Sequence, residues 1–339
     1  MSELSTLLTE SAARLFADAP ATHGGVMNRP AWDAAVEAGF HRLLLSEDSG
    51  GVGDEFDAAS AVALQAGAHA PSMPLVETIV ANWCLQNTGL TPLDSPAIVV
   101  FARDIGGTVK DGVLTWTTAF TVPWPNETQV LVLGPDFIAP LSPLPPGNPG
   151  LSLAGDIVLS VPPSTTGVRV NTAPAQIYDK AFALMALLKA SMIVGAMETV
   201  LDMSIDYANT RVQFGRPIGK FQAIQHMLAQ MSGEVAAAAA AVQSAAALFG
   251  TDKGLWATAI AKGIASEAVQ LVSTHAHQSH GAIGYTEEFS LQRFTRRMWI
   301  WRDEAGSDSY WYDRIGAAAF ANNENGLWSS ITAGAKLSP

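Results

Sequence analysis

The chain has 339 residues, 48% hydrophobic and 15% charged, which suits one large domain or two to three smaller ones with a real core and excludes disorder. A net charge of −12 argues against nucleic acid and against anionic membrane surfaces as partners. The single cysteine, Cys84, rules out an intrachain disulfide and a multi-cysteine zinc site, and a reducing cytoplasm fits best.

The first stretch, MSELSTLLTESAARLFADAP, is amphipathic and acidic and lacks the basic start and apolar core of a signal peptide. No run of about 18 apolar residues is apparent, so no segment is expected to span a membrane. From Ser2 to about Leu93 the pattern is helical, so residues 1–93 are expected to form an N-terminal helical domain. Pro30 stands where a helix would start and Gly39 where it would stop. The phrase SGGVGDEF has neither a Walker lysine nor GxGxxG, and its acidic residues oppose an anion, so it reads as a turn.

Residues 94–175 change texture. AIVVFA, VLTWTTAFTV, QVLVLG, FIAPL, DIVLSV and GVRVN are short β-rich runs separated by Gly, Pro and Asn. They predict a middle antiparallel β-domain, a barrel or sandwich, with PLSPLPPGNPG as a proline-rich connection.

Helical periodicity returns in residues 176–339, up to about Lys336. The run from Lys180 to Arg211 is long enough for one helix, GEVAAAAAAVQSAAALF is alanine-rich, and GLWATAIAKGIASEAVQLVSTHAHQSHGAIGY follows. Long, weakly charged helices of this kind belong in a bundle or an oligomer core. The fold class is mainly α with a central β-domain.

The stretch Arg211–Gln225, RVQFGRPIGKFQAIQ, sets two arginines and two phenylalanines around a glycine- and proline-bearing bend. A guanidinium there suits a phosphate through its planar fork. Phe214 suits a base or an aliphatic wall, and Gln222 and Gln225 suit polar edges. A helix corner whose basic residues compensate a helix C-terminus explains the same spacing equally well. Downstream, His275, His277 and His280 fall within six residues, but no neighbouring Cys or Asp completes a metal set, and no metal is expected.

RVQFGRPIGKFQAIQHMLAQM resembles the flavin-binding turn of the acyl-CoA dehydrogenase family, and QSHGAIGYTEEFSLQRFTRR resembles that family's Gln-x-x-Gly-Gly-x-Gly-Tyr segment. AGFHRLLLSEDSGGVGDEFD and HAPSMPLVETIVAN resemble its amino-terminal helical region. The resemblance implies an N-terminal helical domain, a middle β-barrel or sandwich and a C-terminal four-helix bundle. It implies FAD as cofactor, with Arg211 on the pyrophosphate, Phe214 against the adenosine end, Gln222 nearby, and Gln278 and Gly281 on the ADP portion. In the family these contacts reach the flavin of a neighbouring subunit. Ala282 stands where the family has its second glycine.

The family reaction removes the α-proton of an acyl-CoA thioester with a carboxylate and passes the β-hydride to flavin. The resemblance places that carboxylate at Glu304, in MWIWRDEAGSDSYW, 19 residues beyond Tyr285 and one residue early against the family pattern. Asp303 replaces the family tyrosine, and Ala305 precedes the glycine. The competing reading of Glu304 is a helix-end acid paired with Arg302 or Arg297. Glu287 and Glu288 read as structural acids near a helix start. An alternative base position on the preceding long helix is Met185, which is no acid.

Residues 94–175 lack the family's Thr-Glu-x-x-x-Gly-Ser-Asp-like segment, and the Trp116-Thr117-Thr118 run maps onto no contact. The resemblance therefore implies either a homo-oligomeric acyl-CoA dehydrogenase or one subunit of a heteromeric enzyme, of the kind used for fatty acyl or sterol side-chain thioesters. Electron-transfer flavoprotein is the implied acceptor. A non-catalytic or half-site subunit and a flavin oxidase or monooxygenase are the alternatives.

Overall fold

A computed structural model of the chain describes residues 3–19, 25–321, 328 and 337. The first segment holds four helices, α1 (Glu3–Ala17), α2 (Arg29–Glu37), α3 (Phe56–His69) and α4 (Leu75–Asn87). Pro30 lies in the first turn of α2, the Asn28 side chain accepts from the Ala31 N–H at 3.2 Å, and Gly39 at φ 77° follows its end. The glycine-rich phrase is a turn. The Ser46 N–H donates to Gln86 Oε1 at 3.0 Å, and a Cβ on Gly51 would collide with the Leu45 carbonyl oxygen.

Between residues 97 and 172 lie ten strands: β1 (Ala97–Phe101), β2 (Thr108–Lys110), β3 (Val113–Trp116), β4 (Phe120–Pro123), β5 (Gln129–Leu133), β6 (Phe137–Leu141), β7 (Asn148–Leu151), β8 (Ile157–Val161), β9 (Ser164–Arg169) and β10 (Asn171–Thr172). They form three sheets, ordered β1-β5-β6-β10, β2-β3-β9 and β4-β8-β7. The expected antiparallel arrangement fails at one pair: β1 and β5 run parallel, Ala97 opposite Gln129. The chain leaves after β1, builds β2 to β4 and re-enters beside its start, and such a crossover yields a parallel pair.

The run VLTWTTAFTV is two strands, because the Thr117 and Thr118 N–H groups both donate to the Ile105 carbonyl, at 3.1 and 2.9 Å, and break the ladder. The proline-rich connection ends inside β7, an exposed edge strand where Pro149 is tolerated. Trp116 is buried against Phe120 in this core, and its Nε1 donates to the Pro162 carbonyl at 2.8 Å.

The helical remainder comprises α5 (Ala175–Thr210), a small hairpin β11 (Val212–Gln213) with β12 (Arg216–Pro217), α6 (Gln222–Leu248), α7 (Gly254–His280), α8 (Leu291–Asp303) and α9 (Asp308–Ala321). Past Ala321 the expected helical continuation falls almost wholly outside the described residues. Against the expectation of no apolar run of about 18 residues, α5 is by length and composition apolar enough to cross a membrane; 83% of its most apolar window is buried within the protein.

The chain divides into two compact units. One combines residues 3–14, 56–70 and the described residues from 186 onward; the other combines 15–19, 25–55 and 71–185. In the first, α3 lies directly against α5. A Cβ on Gly67 would strike the Met192 backbone, and one on Gly195 the Leu64 carbonyl oxygen. Thr199 Oγ1 donates to the Ala68 carbonyl at 2.8 Å, and the Ser60 and Ser191 hydroxyls meet at 2.8 Å.

Candidate active site

All the predicted site residues lie in the unit that contains α6 to α9. Arg211 directly follows α5, its N–H donating to the Tyr207 carbonyl at 2.8 Å, and the chain then turns through the β11–β12 hairpin. The tip residues Phe214 and Gly215 have φ of 50° and 79°. Two consecutive positive φ values suit a tight hairpin, but a phenylalanine in the left-handed region is uncommon and strained by about 1 kcal/mol or more. Its ring is also 92% exposed.

Arg211 and Gln222 are exposed as well. The Arg216 guanidinium lies 4.3 Å over the Phe221 ring, and Gln225 Nε2 donates to the Gly219 carbonyl at 2.9 Å. Of the two glutamines, then, Gln225 fastens the bend and Gln222 faces outward. Gln222 opens α6, whose first turn has no side-chain cap. A helix start with free N–H groups beside an exposed guanidinium favours an anion.

Gln278 and Gly281 close α7. Gln278 is exposed, and Gly281 holds φ 64° with nothing within 4 Å of where a Cβ would stand. The Tyr207 and His280 rings stack 4.5 Å apart, which brings the Arg211 end of α5 to the Gln278 end of α7. The three histidines have other work. His275 Nε2 meets Gln230 Oε1 at 2.9 Å, His277 Nε2 meets Thr295 Oγ1 at 3.0 Å, and His280 Nδ1 donates to the Ala276 carbonyl at 2.8 Å. Burial holds His277 and His280 below the usual imidazole value.

Glu304 follows α8 at the start of a turn in which Ala305 and Gly306 have φ of 53° and 92°. Its side chain is 43% exposed, and Oε2 forms an ion pair with Lys189 Nζ at 2.5 Å. The competing reading names Arg302 or Arg297 as its partner, but Arg302 pairs with Asp308 at 3.5 Å. Sequence reasoning missed Lys189 on α5 and Lys262 on α7, both fully buried. Their only signal is a lone lysine inside an apolar helical run, ALLKASM and AIAKGIA. Glu287 and Glu288 are exposed ahead of α8.

The structure does not bring all these residues together. Lys189 on α5, which holds Glu304, lies 22 residues before Arg211, the residue directly after that helix. At 1.5 Å per residue that is about 33 Å along the axis. One chain thus presents a carboxylate near one end of this length of α5 and an anion-receptive hairpin at the other.

Residues 176–320 match the family Acyl-CoA dehydrogenase, C-terminal domain. Acyl-CoA dehydrogenase IpdE2 of Mycolicibacterium smegmatis is 30% identical over 270 residues, 77% of this chain and 78% of that protein. The chain belongs to the acyl-CoA dehydrogenase family. Solved acyl-CoA dehydrogenase structures share its fold: a variant of the Tcur3481-Tcur3483 steroid ACAD superposes with TM-score 0.81 and 20% identity, covering 98% of this chain and 99% of that one. The ChsE4-ChsE5 complex from Mycobacterium tuberculosis gives 0.79 and 19%, covering 95% and 98%. As an acyl-CoA dehydrogenase family member the chain is an oxidoreductase acting on acyl-CoA, and the family implies a flavin. The exposed Phe214, Arg211 and uncapped α6 start fit a flavin nucleotide's adenine and diphosphate chemically.

Proposed function

We infer that the chain catalyses α,β-dehydrogenation of an acyl-CoA thioester in an oligomer, with Glu304 as base and FAD as cofactor. The observation that supports this is the roughly 33 Å of α5 between the carboxylate and the hairpin. Both serve only if each works on a different flavin, one of them held largely by a neighbouring subunit.

In this reading Glu304 Oε accepts the α-proton of the thioester. That proton is weakly acidic, so its removal needs a carbonyl polarised by hydrogen-bond donors and a carboxylate shielded from water. FAD supplies the acceptor for the β-hydride. Arg211 and the Gln278 amide hold the diphosphate, Phe214 lies against the adenosine, and Gln222 donates beside it. Gly281 lets the backbone come close. Electron-transfer flavoprotein re-oxidises the cofactor. The substrate is a fatty acyl or sterol side-chain thioester, the latter suggested by the steroid enzyme among the structural relatives.

The test uses assembled protein under anaerobic conditions with butyryl-CoA, octanoyl-CoA and a steroid side-chain CoA thioester. Flavin absorbance should bleach with at least one of them, and Glu304→Gln should retain flavin while losing turnover by about 100-fold or more. Arg211→Ala with Gln278→Ala should release FAD. Yellow colour only after co-expression with a second subunit would identify a heteromer. Bleaching by none of the three, or undiminished turnover of the Glu304→Gln protein, would overturn the reading.

A further inference from the structure

Lys189 and Lys262 are the least expected side chains of the helical unit, each essentially sealed from solvent. Lys262 Nζ makes three donations, to Ser266 Oγ at 2.9 Å, the Arg302 carbonyl at 2.7 Å and the Gly306 carbonyl at 2.8 Å. Those two carbonyls flank the segment 303–305. The first belongs to the last turn of α8, where a cation is favoured. Lys189 reaches the same segment from α5 and takes the Glu304 carboxylate. Trp311 Nε1 donates to the Ala305 carbonyl at 3.0 Å and completes the clamp.

A surface acid at a helix end needs none of this. Burying an ammonium costs several kcal/mol after relaxation, and replacing such groups by apolar side chains is often neutral or stabilising. Two buried lysines converging on one five-residue turn therefore point to position rather than stability. The turn needs such support, because Ala305 and Gly306 both sit at positive φ. Lys262 fixes its backbone, and Lys189 fixes the direction of the Glu304 carboxylate, one of the two acids in the turn beside Asp303.

We propose that Lys189 and Lys262 are positioning residues for catalysis, holding the turn 302–306 so that the Glu304 carboxylate stands at a fixed place and angle. This rests on the reading of Glu304 as the base. Neither lysine is assigned contact with substrate; each acts through the turn.

The experiment compares parent, Lys189→Met, Lys262→Met and Glu304→Gln as assembled, FAD-loaded proteins, using whichever of the three thioesters above bleaches the parent flavin fastest. With Lys189→Met, flavin content and Tm should stay near the parent values and KM should change little. Its kcat should fall on the order of 100-fold, the effect of misplacing a reacting group by about 1 Å. The primary isotope effect with the α-deuterated thioester should rise, since only proton removal is slowed. A role in stability alone would leave that ratio unmoved. Lys262→Met should lower kcat by about tenfold, and its crystal structure should show the 302–306 turn displaced.

If a methionine variant does not fold, glutamine at the same position gives the same comparison. An inactive Glu304→Gln protein beside lysine variants with kcat within about twofold of the parent would overturn the positioning role alone. An active Glu304→Gln protein would remove the base assignment, and this proposal with it.

Discussion

Lys262 shows how a single buried charge couples to pH. Burial pushes its ammonium down from 10.5 to about 7, against the pull of Glu304, Asp303 and Asp308 and with the repulsion of Lys189. The unfolded chain keeps this proton up to about 10.5, while the folded chain gives it up near 7. Between those values the unfolded state binds more protons, so stability rises with pH by up to about 1.4 kcal/mol per unit. The penalty is full below about pH 7 and gone above about 10.5. Denaturant titrations at pH 7 and pH 9 should show the parent gaining stability with pH relative to Lys262→Met; equal slopes would refute the burial argument. Arg211 and Glu304 were singled out in the sequence because the segments around them resemble those of the family. The two lysines were not, since an ion pair between residues 189 and 304 is a tertiary fact. The competing reading of Glu304 names Arg302 or Arg297 from proximity in sequence, while the fold supplies Lys189.

Among elements, the helices of the bundle were readable from composition because alanine-rich runs favour helix whatever surrounds them. α4 carries no polar stripe, since nearly all its residues from Leu75 to Leu85 are buried, and a helix covered on every side loses its period. The β-rich runs announced strands but not direction: whether β1 meets β5 parallel or antiparallel depends on where the chain returns. Small residues gain meaning at this scale. Gly195 on α5 gives α3 a seat against the Leu64 carbonyl, and Gly67 does the same for α5 at Met192. A methyl group at Gly195 has only rigid backbone to meet, so Gly195→Ala should destabilise by about 2 kcal/mol or more despite its better helix propensity. Thermal unfolding would register this as a Tm lower by several degrees. Gly233→Ala on α6, where nothing lies within 4 Å, is the matching control and should leave Tm equal or higher.

For the whole molecule, the proposed division of the site along α5 would make assembly a condition of cofactor retention. Phe214 at the hairpin tip is 92% exposed in a strained backbone conformation, while Arg211 and Gln278 stand open to solvent near the adjoining ends of α5 and α7. Full burial of a phenylalanine is worth about 1.5–3 kcal/mol, so an exposed tip of this kind gains most when another surface covers it. If a flavin is shared across that boundary, its binding and the subunit association are linked, and each stabilises the other by the same free energy. FAD content should therefore depend on protein concentration. Serial dilution followed by rapid filtration should release flavin in step with the drop in mass from an oligomer to the 35.6 kDa chain, as followed by light scattering. Phe214→Ser should shift both transitions together to higher protein concentration, because in the proposed site the ring would meet the nucleotide and the boundary at once. A chain that stays monomeric at every concentration while keeping its FAD would break the link between the hairpin and a neighbour's cofactor. Flavin loss at constant mass would instead confine the hairpin's role to its own subunit.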